Sequence, residues 1–187
     1  MPLKSKQPRI APLEPPYDEE AAAVLERLGP PIQLFRVWAR RPELAHGVAG
    51  WGSYYLSRRS ALTLRQRELV IDRTTALCGA GYEWGVHIAA FAEKAGLDDA
   101  QVSSLATGGP GDDCWTPADR AVIAAVDELH ATFDLSDRAW SDLVAVSSED
   151  AALEVTLLCG WYHAISFAVR ALRLPLEPGT DPIGAAG

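Results

Sequence analysis

The sequence predicts an all-α, single-domain protein, and three observations carry that reading. Helix N-caps and capping boxes recur along the chain, apolar residues repeat at helical spacing, and no segment shows the period-two alternation of a strand. A length of 187 residues suits one domain with a sizeable core. A hydrophobic fraction of 48% and six tryptophans argue for a folded globule and against a disordered chain.

Residues 1–17 read as an extended, Pro-rich leader, 18–175 as the helical domain and 176–187 as a loosely attached coil tail. Asp18 caps a first helix that Gly29 stops, and Pro30-Pro31 breaks the chain. The stretch from Ile32 to Arg59 suits two helices, with Pro42 in the first turn of the second. Thr63 and Gln66 form a capping box for the next helix, which Gly79 and Gly81 interrupt. A new helix starts near Tyr82 and runs to Ala95, with Gly96 at C′. Asp98 and Gln101 repeat the capping-box spacing and open a short helix that Gly108 closes. The loop "GGPGDD" follows; then Thr116-Pro117, Ser136 and Ser148 each start a helix. The last helix is apolar on nearly all sides, so it should be central or lie in a subunit interface; Pro175 ends it.

Composition narrows the function. A net charge of −8, from 25 acidic and 17 basic residues, disfavours nucleic acid as a partner. The leader has basic residues without the apolar run of a signal peptide, and by this reading no apolar stretch approaches the roughly 20 residues of a membrane span. The expected setting is therefore cytoplasmic, with no membrane partner. Cys78, Cys114 and Cys159 are odd in number and match no zinc spacing, which suggests reduced core thiols.

Chemistry concentrates in "CGAGYEWGVH", residues 78–87. Glu83 and His87 stand at i and i+4 on one helical face, a spacing that suits a carboxylate–imidazole proton-transfer pair. If the glycine break folds the two helices antiparallel, Glu68, on one stripe with Asp72 and Thr75, approaches His87. The same spacing also suits a plain helix pair. His46, His130 and His163 could join Glu83 and His87 around a metal, but no H-E-x-x-H pattern supports this, and neither metal nor cofactor is expected. Trp38, Trp51, Tyr54, Tyr55, Trp84 and Trp161 supply core, with some lining a small apolar pocket above His87. Trp84, Arg67 and His163 are the candidate substrate-binding residues. Cys78, with no basic neighbour in sequence, is expected to be buried and inert.

Residues 62–108, with R-x-x-E on one helix, a Gly-containing break, "YEWxxH" and "AxxAGL", resemble the carboxymuconolactone decarboxylase, or alkylhydroperoxidase D-like, family; the resemblance is best over 42–108. It implies a small helical subunit that forms homodimers, trimers or hexamers. Redox members carry Cys-x-x-Cys at the start of the second helix, a histidine four residues on, and a glutamate on the preceding helix. By that resemblance His87 matches the histidine and Glu68 the glutamate. Ala80 and Glu83 stand at the two cysteine positions, and Tyr82 where redox members often have a histidine. Dithiol chemistry at this site is thereby excluded. The expected activity is a cofactor-free lyase or isomerase acting on a small lactone or carboxylate compound. His87 would move the proton, with Glu83, Glu68 and the Tyr82 phenol assisting. The alternatives are a peroxidase using Cys78 alone and a non-catalytic, oligomeric ligand-binding protein.

Overall fold

The computed structural model describes residues 7–184. Among them are nine helices and no strand: α1 Glu19–Leu28, α2 Gln33–Trp38, α3 Pro42–Tyr55, α4 Leu64–Leu77, α5 Gly81–Phe91, α6 Asp99–Thr107, α7 Pro117–Thr132, α8 Asp137–Val146 and α9 Glu149–Leu172. The all-α expectation holds.

Local chemistry sets most helix starts. Asp18, Ser136 and Ser148 each accept a backbone N–H three residues on. Thr63, Asp98 and Thr116 form reciprocal capping boxes with Gln66, Gln101 and Asp119. Regular α5 stops at Phe91, four residues before the expected Ala95. The chain still closes as a Schellman turn: Leu97 N–H bonds to Ala92 O at 2.9 Å and Gly96 N–H to Glu93 O at 3.0 Å, with Gly96 at φ +67°.

α4 is the hub, packed by α5, α6, α7 and α9. That position buries every residue from Arg67 to Thr75, including four charged ones. Polar groups survive there where they are paired. Arg73 makes a bidentate bond to Asp127, at 2.6 and 2.9 Å, and donates to Leu105 O at 3.0 Å.

α9 lies beside α4, at about 36 Å for 24 residues. By length and composition it is apolar enough to cross a membrane, which corrects the expectation that no stretch approaches that length. Here its Val155, Leu158, Cys159, Ile165 and Val169 fill the protein core. Its buried Glu154 accepts from Tyr54 Oη, Ser60 Oγ and Ala61 N, tying down the α3–α4 loop.

The described part of the tail is irregular and is fastened to the helices. Glu177 Oε1 accepts from Gln33 N and from the Tyr82 hydroxyl, and residues 180–181 lie against α5 at Gly85. A Cβ at Gly85 would stand 2.9 Å from Asp181 O and 3.0 Å from Thr180 Cβ, so any larger residue there would force the strap to shift. Residues 1–6 of the leader and 185–187 of the tail lie outside the described residues.

Candidate active site

The turn at Gly79, with φ +62°, sends α5 back along α4. Glu68 and His87, 19 residues apart in sequence, thereby meet: His87 Nδ1 donates to Glu68 Oε2 at 2.8 Å. The other Glu68 oxygen accepts from Arg67 Nε at 2.6 Å, and Arg67 Nη1 donates to Tyr55 O at 3.2 Å. On its far side, His87 Nε2 lies 3.0 Å from Tyr162 Oη and 3.5 Å from Glu83 Oε1. The second Glu83 oxygen, Oε2, is buried without a partner among the described residues.

Burial pulls the His87 pKa down, but the hydrogen bonds and negative charges of Glu68 and Glu83 outweigh it and push the imidazole up to about 10. His87 is therefore an imidazolium at neutral pH. Burial, and then the charges of Glu83 and Glu68, hold the Tyr162 phenol well above its ordinary value, so it stays neutral. Asp72, one turn beyond Glu68, is fully enclosed, and neither carboxyl oxygen has a partner among the described residues. Burial first and the Glu68 charge second push it well above a normal carboxyl, towards the neutral acid.

Arg67, Glu83, His87 and Tyr162 face a cavity of about 500 Å3 between α2–α3 and α5–α9. Its other walls are mostly apolar: Leu34, Phe35, Trp38, Trp51, Tyr55 and Trp161, with Trp51 stacked on Trp161 at 5.3 Å. Glu177 and Thr180 of the strap complete the wall. Arg67, Glu68, imidazolium His87 and Glu83 sum to no net charge. The site thus offers an apolar pocket with directed proton donors and the Glu83 carboxylate among its lining residues.

The sequence-derived residues separate on this geometry. Glu68, Glu83 and His87 converge, with Glu68 and not Glu83 as the closer partner. Tyr82 does not join them. Its hydroxyl accepts from Leu34 N at 3.0 Å and donates to Glu177, and burial followed by the Glu177 contact keeps it neutral, so its role is to fasten α2 and the strap. Trp84 turns to the opposite side, into the core and a smaller cavity of about 190 Å3 under the strap. Arg67 lines the main cavity, but its charge is engaged by Glu68. His163 lies away from it, beside His130 and Cys159. Cys78 is buried as expected and is not on the cavity wall; burial raises its thiol pKa despite opposing contributions from Ser166 and Arg170. Tyr162 was not among the sequence candidates, although it adjoins His163 in "CGWYHAISF". An aromatic at a half-buried helix position reads as core until its neighbour across the bundle is known.

Glu68, Asp72 and His87 could each bring one ligand atom to a common point. A cation there would have to compete with Arg67 for Glu68 and with the proton on His87, so the donor set is poorly prepared for a metal.

Residues 42–128 match the carboxymuconolactone decarboxylase family profile. Over that region the chain is similar to this family, which bears out the resemblance read from the motifs of residues 62–108. No curated protein matches the chain. Among solved structures, a point variant of the debrominase Bmp8 in complex with 2,3,4-tribromopyrrole aligns at TM-score 0.73 and 17% identity, covering 94% of this chain and 95% of its own. Apo Bmp8 aligns at TM-score 0.72 and 17% identity, covering 91% and 92%. At that identity the likeness concerns the fold.

Proposed function

We propose that this protein, similar over residues 42–128 to the carboxymuconolactone decarboxylase family, is a cofactor-free enzyme that moves a proton next to a carbonyl in a small, largely apolar molecule such as a lactone. The observation that carries this reading is the pairing of Glu83 with the His87 imidazolium, at 3.5 Å, among the residues that line an apolar cavity. Glu83 accepts a proton from the carbon α to the carbonyl. The electron pair moves onto the carbonyl oxygen, which the His87 Nε2–H and the Tyr162 hydroxyl stabilise as an enolate. In a substrate with a β,γ double bond the enolate extends over that bond, and return of the proton to the γ-carbon completes an isomerisation. Glu68, itself held by Arg67, keeps His87 in place and charged. Because both cations are already paired, a neutral carbonyl suits the cavity better than a free carboxylate. The tribromopyrrole in the Bmp8 complex is likewise a small ring compound, in keeping with a ligand of this size.

The test is proton exchange. Neutral lactones and cyclic ketones are screened by tryptophan fluorescence, with Trp51 and Trp161 as the cavity reporters. Bound compounds are then followed in D2O by NMR. Wild type should accelerate α-proton exchange, while Glu83→Gln should bind similarly and lose exchange by roughly a hundredfold or more. Exchange that survives in both Glu83→Gln and His87→Gln would overturn the reading.

We also infer a homo-oligomer. Leu153, Leu157, Gly160, Ala164, Phe167 and Ala171 form an exposed apolar stripe along α9, with Leu153 and Phe167 55% and 68% exposed. Their spacing of three and four residues is that of a helix-pairing seam. A second copy is the expected occupant. Sedimentation should give a species heavier than the 20.1 kDa chain, and Leu157→Glu should reduce it to that mass.

A further inference from the structure

Away from the cavity, the end of α4, the last turn of α7 and the middle of α9 bring a thiol and two imidazoles together. Cys78 Sγ lies 4.0 Å from His130 Nδ1, which lies 2.9 Å from His163 Nε2. All three residues offer ligand atoms that fall within 4.8 Å of one another. The residues are 52 and 33 positions apart, so no sequence motif announces them.

The hydrogen bonds define which lone pairs are free. His163 Nδ1 is 2.9 Å from the Cys159 carbonyl, which only accepts, so that nitrogen carries its proton. In the neutral ring Nε2 is then a lone pair, and His130 Nδ1 must donate to it. Once that shared proton leaves, two nitrogen lone pairs and a sulfur converge on one point. The Cys159 carbonyl also fixes the orientation of His163, as a carbonyl or carboxylate acceptor commonly does for a metal-bound histidine. The site is half-buried, and it contains no carboxylate of its own.

We propose that Cys78, His130 and His163 form a mononuclear Zn2+ site of the thiolate–bis-imidazole type, with a fourth position open to water or an exogenous ligand. Sequence reading assigns no metal; this cluster arises only from the packing of α4, α7 and α9. A tetrahedral zinc with these ligands needs N···N near about 3.3 Å and S···N near about 3.6 Å. The observed 2.9 and 4.0 Å differ from those by less than about half an ångström, within reach of small side-chain rotations. On binding, the Cys78 S–H bond breaks and its proton goes to solvent. The His130 proton leaves Nδ1 while Nε2 takes one from solvent, so one proton is released per metal. Borderline-soft Zn2+ fits a sulfur and two imidazoles better than Mg2+ or Ca2+, which prefer oxygen.

The test uses the full chain, stripped of metal with a chelator and titrated anaerobically with Co2+ as the spectroscopic stand-in for Zn2+. One equivalent per chain should produce a sulfur-to-cobalt charge-transfer band and the intense visible bands of a four-coordinate ion, both displaced by Zn2+. Cys78→Ser should abolish the charge-transfer band, and His163→Gln should weaken binding at least tenfold. His87→Gln should leave binding unchanged, which separates this site from the Glu68–Asp72–His87 group. Because a variant can misfold, wild type supplies an independent measurement: Zn2+ should protect Cys78 from alkylation, and chelator should restore its reactivity. Absence of the charge-transfer band with unprotected Cys78, or Co2+ binding lost in His87→Gln but kept in Cys78→Ser, would overturn the proposal.

Discussion

Glu68→Gln isolates the interaction on which the site depends. His87 rises from 6.5 to about 10, which corresponds to about 5 kcal/mol of preference for the imidazolium at 1.36 kcal/mol per pH unit. Two carboxylates supply that preference against the opposing effect of burial. Glu68, at 2.8 Å, is closer than Glu83, at 3.5 Å, and should carry the larger share. Replacing it with a neutral amide should therefore lower the His87 pKa by roughly 2. The sign for stability follows from linkage. A folded pKa above the unfolded one adds stability that is fully present below pH 6.5 and is lost as pH rises through about 10. Wild type should lose up to about 1.4 kcal/mol per pH unit across that window, and the variant should complete its loss at lower pH. The variant also strands Arg67, so at pH 7 it should be less stable by about 3–5 kcal/mol. The assays are NMR titration of the His87 Cε1–H signal and urea unfolding at several pH values. A wild-type His87 titrating near 6.5, or a pKa unmoved by Glu68→Gln, would refute the reasoning.

Three further outcomes are expected. Asp72→Asn should be more stable than wild type at pH 7, with the gap closing towards pH 4: a carboxyl whose folded pKa is raised loses stability as pH climbs above its unfolded value, and the amide has no such loss. Equal pH profiles by urea unfolding would count against a buried neutral Asp72. Gly85→Ala should destabilise by about 1–3 kcal/mol, because the strap backbone must move, and should make residues 176–184 more sensitive to protease; unchanged cleavage would mean the strap adjusts freely. Tyr162→Phe should fold normally and lose about 1.5–3 kcal/mol, the worth of one hydrogen bond to a charged group, as measured by thermal unfolding.

Local sequence determined what depends on local physics. The capping boxes at Thr63–Gln66 and Asp98–Gln101, Pro42 at a helix start and Gly96 at C′ are written in neighbouring residues, because a helix end needs its orphan backbone groups satisfied within one turn. The pairing of Glu68 with His87 was foreseeable once the turn between α4 and α5 was read as a reversal. Tertiary structure decided the rest. Tyr82 and Trp84 are two positions apart, yet one is bonded to the strap and the other enters the core, since each step along a helix turns a side chain by about 100°. Tyr162 reaches His87 across 75 residues, and Cys78 meets His130 across 52. Such contacts follow from how α4, α5, α7 and α9 cross, and no short-range pattern encodes those crossings. The charge state of His87 belongs to the same class: its spacing from Glu83 is visible in sequence, but its pKa depends on burial and on a carboxylate delivered by another helix.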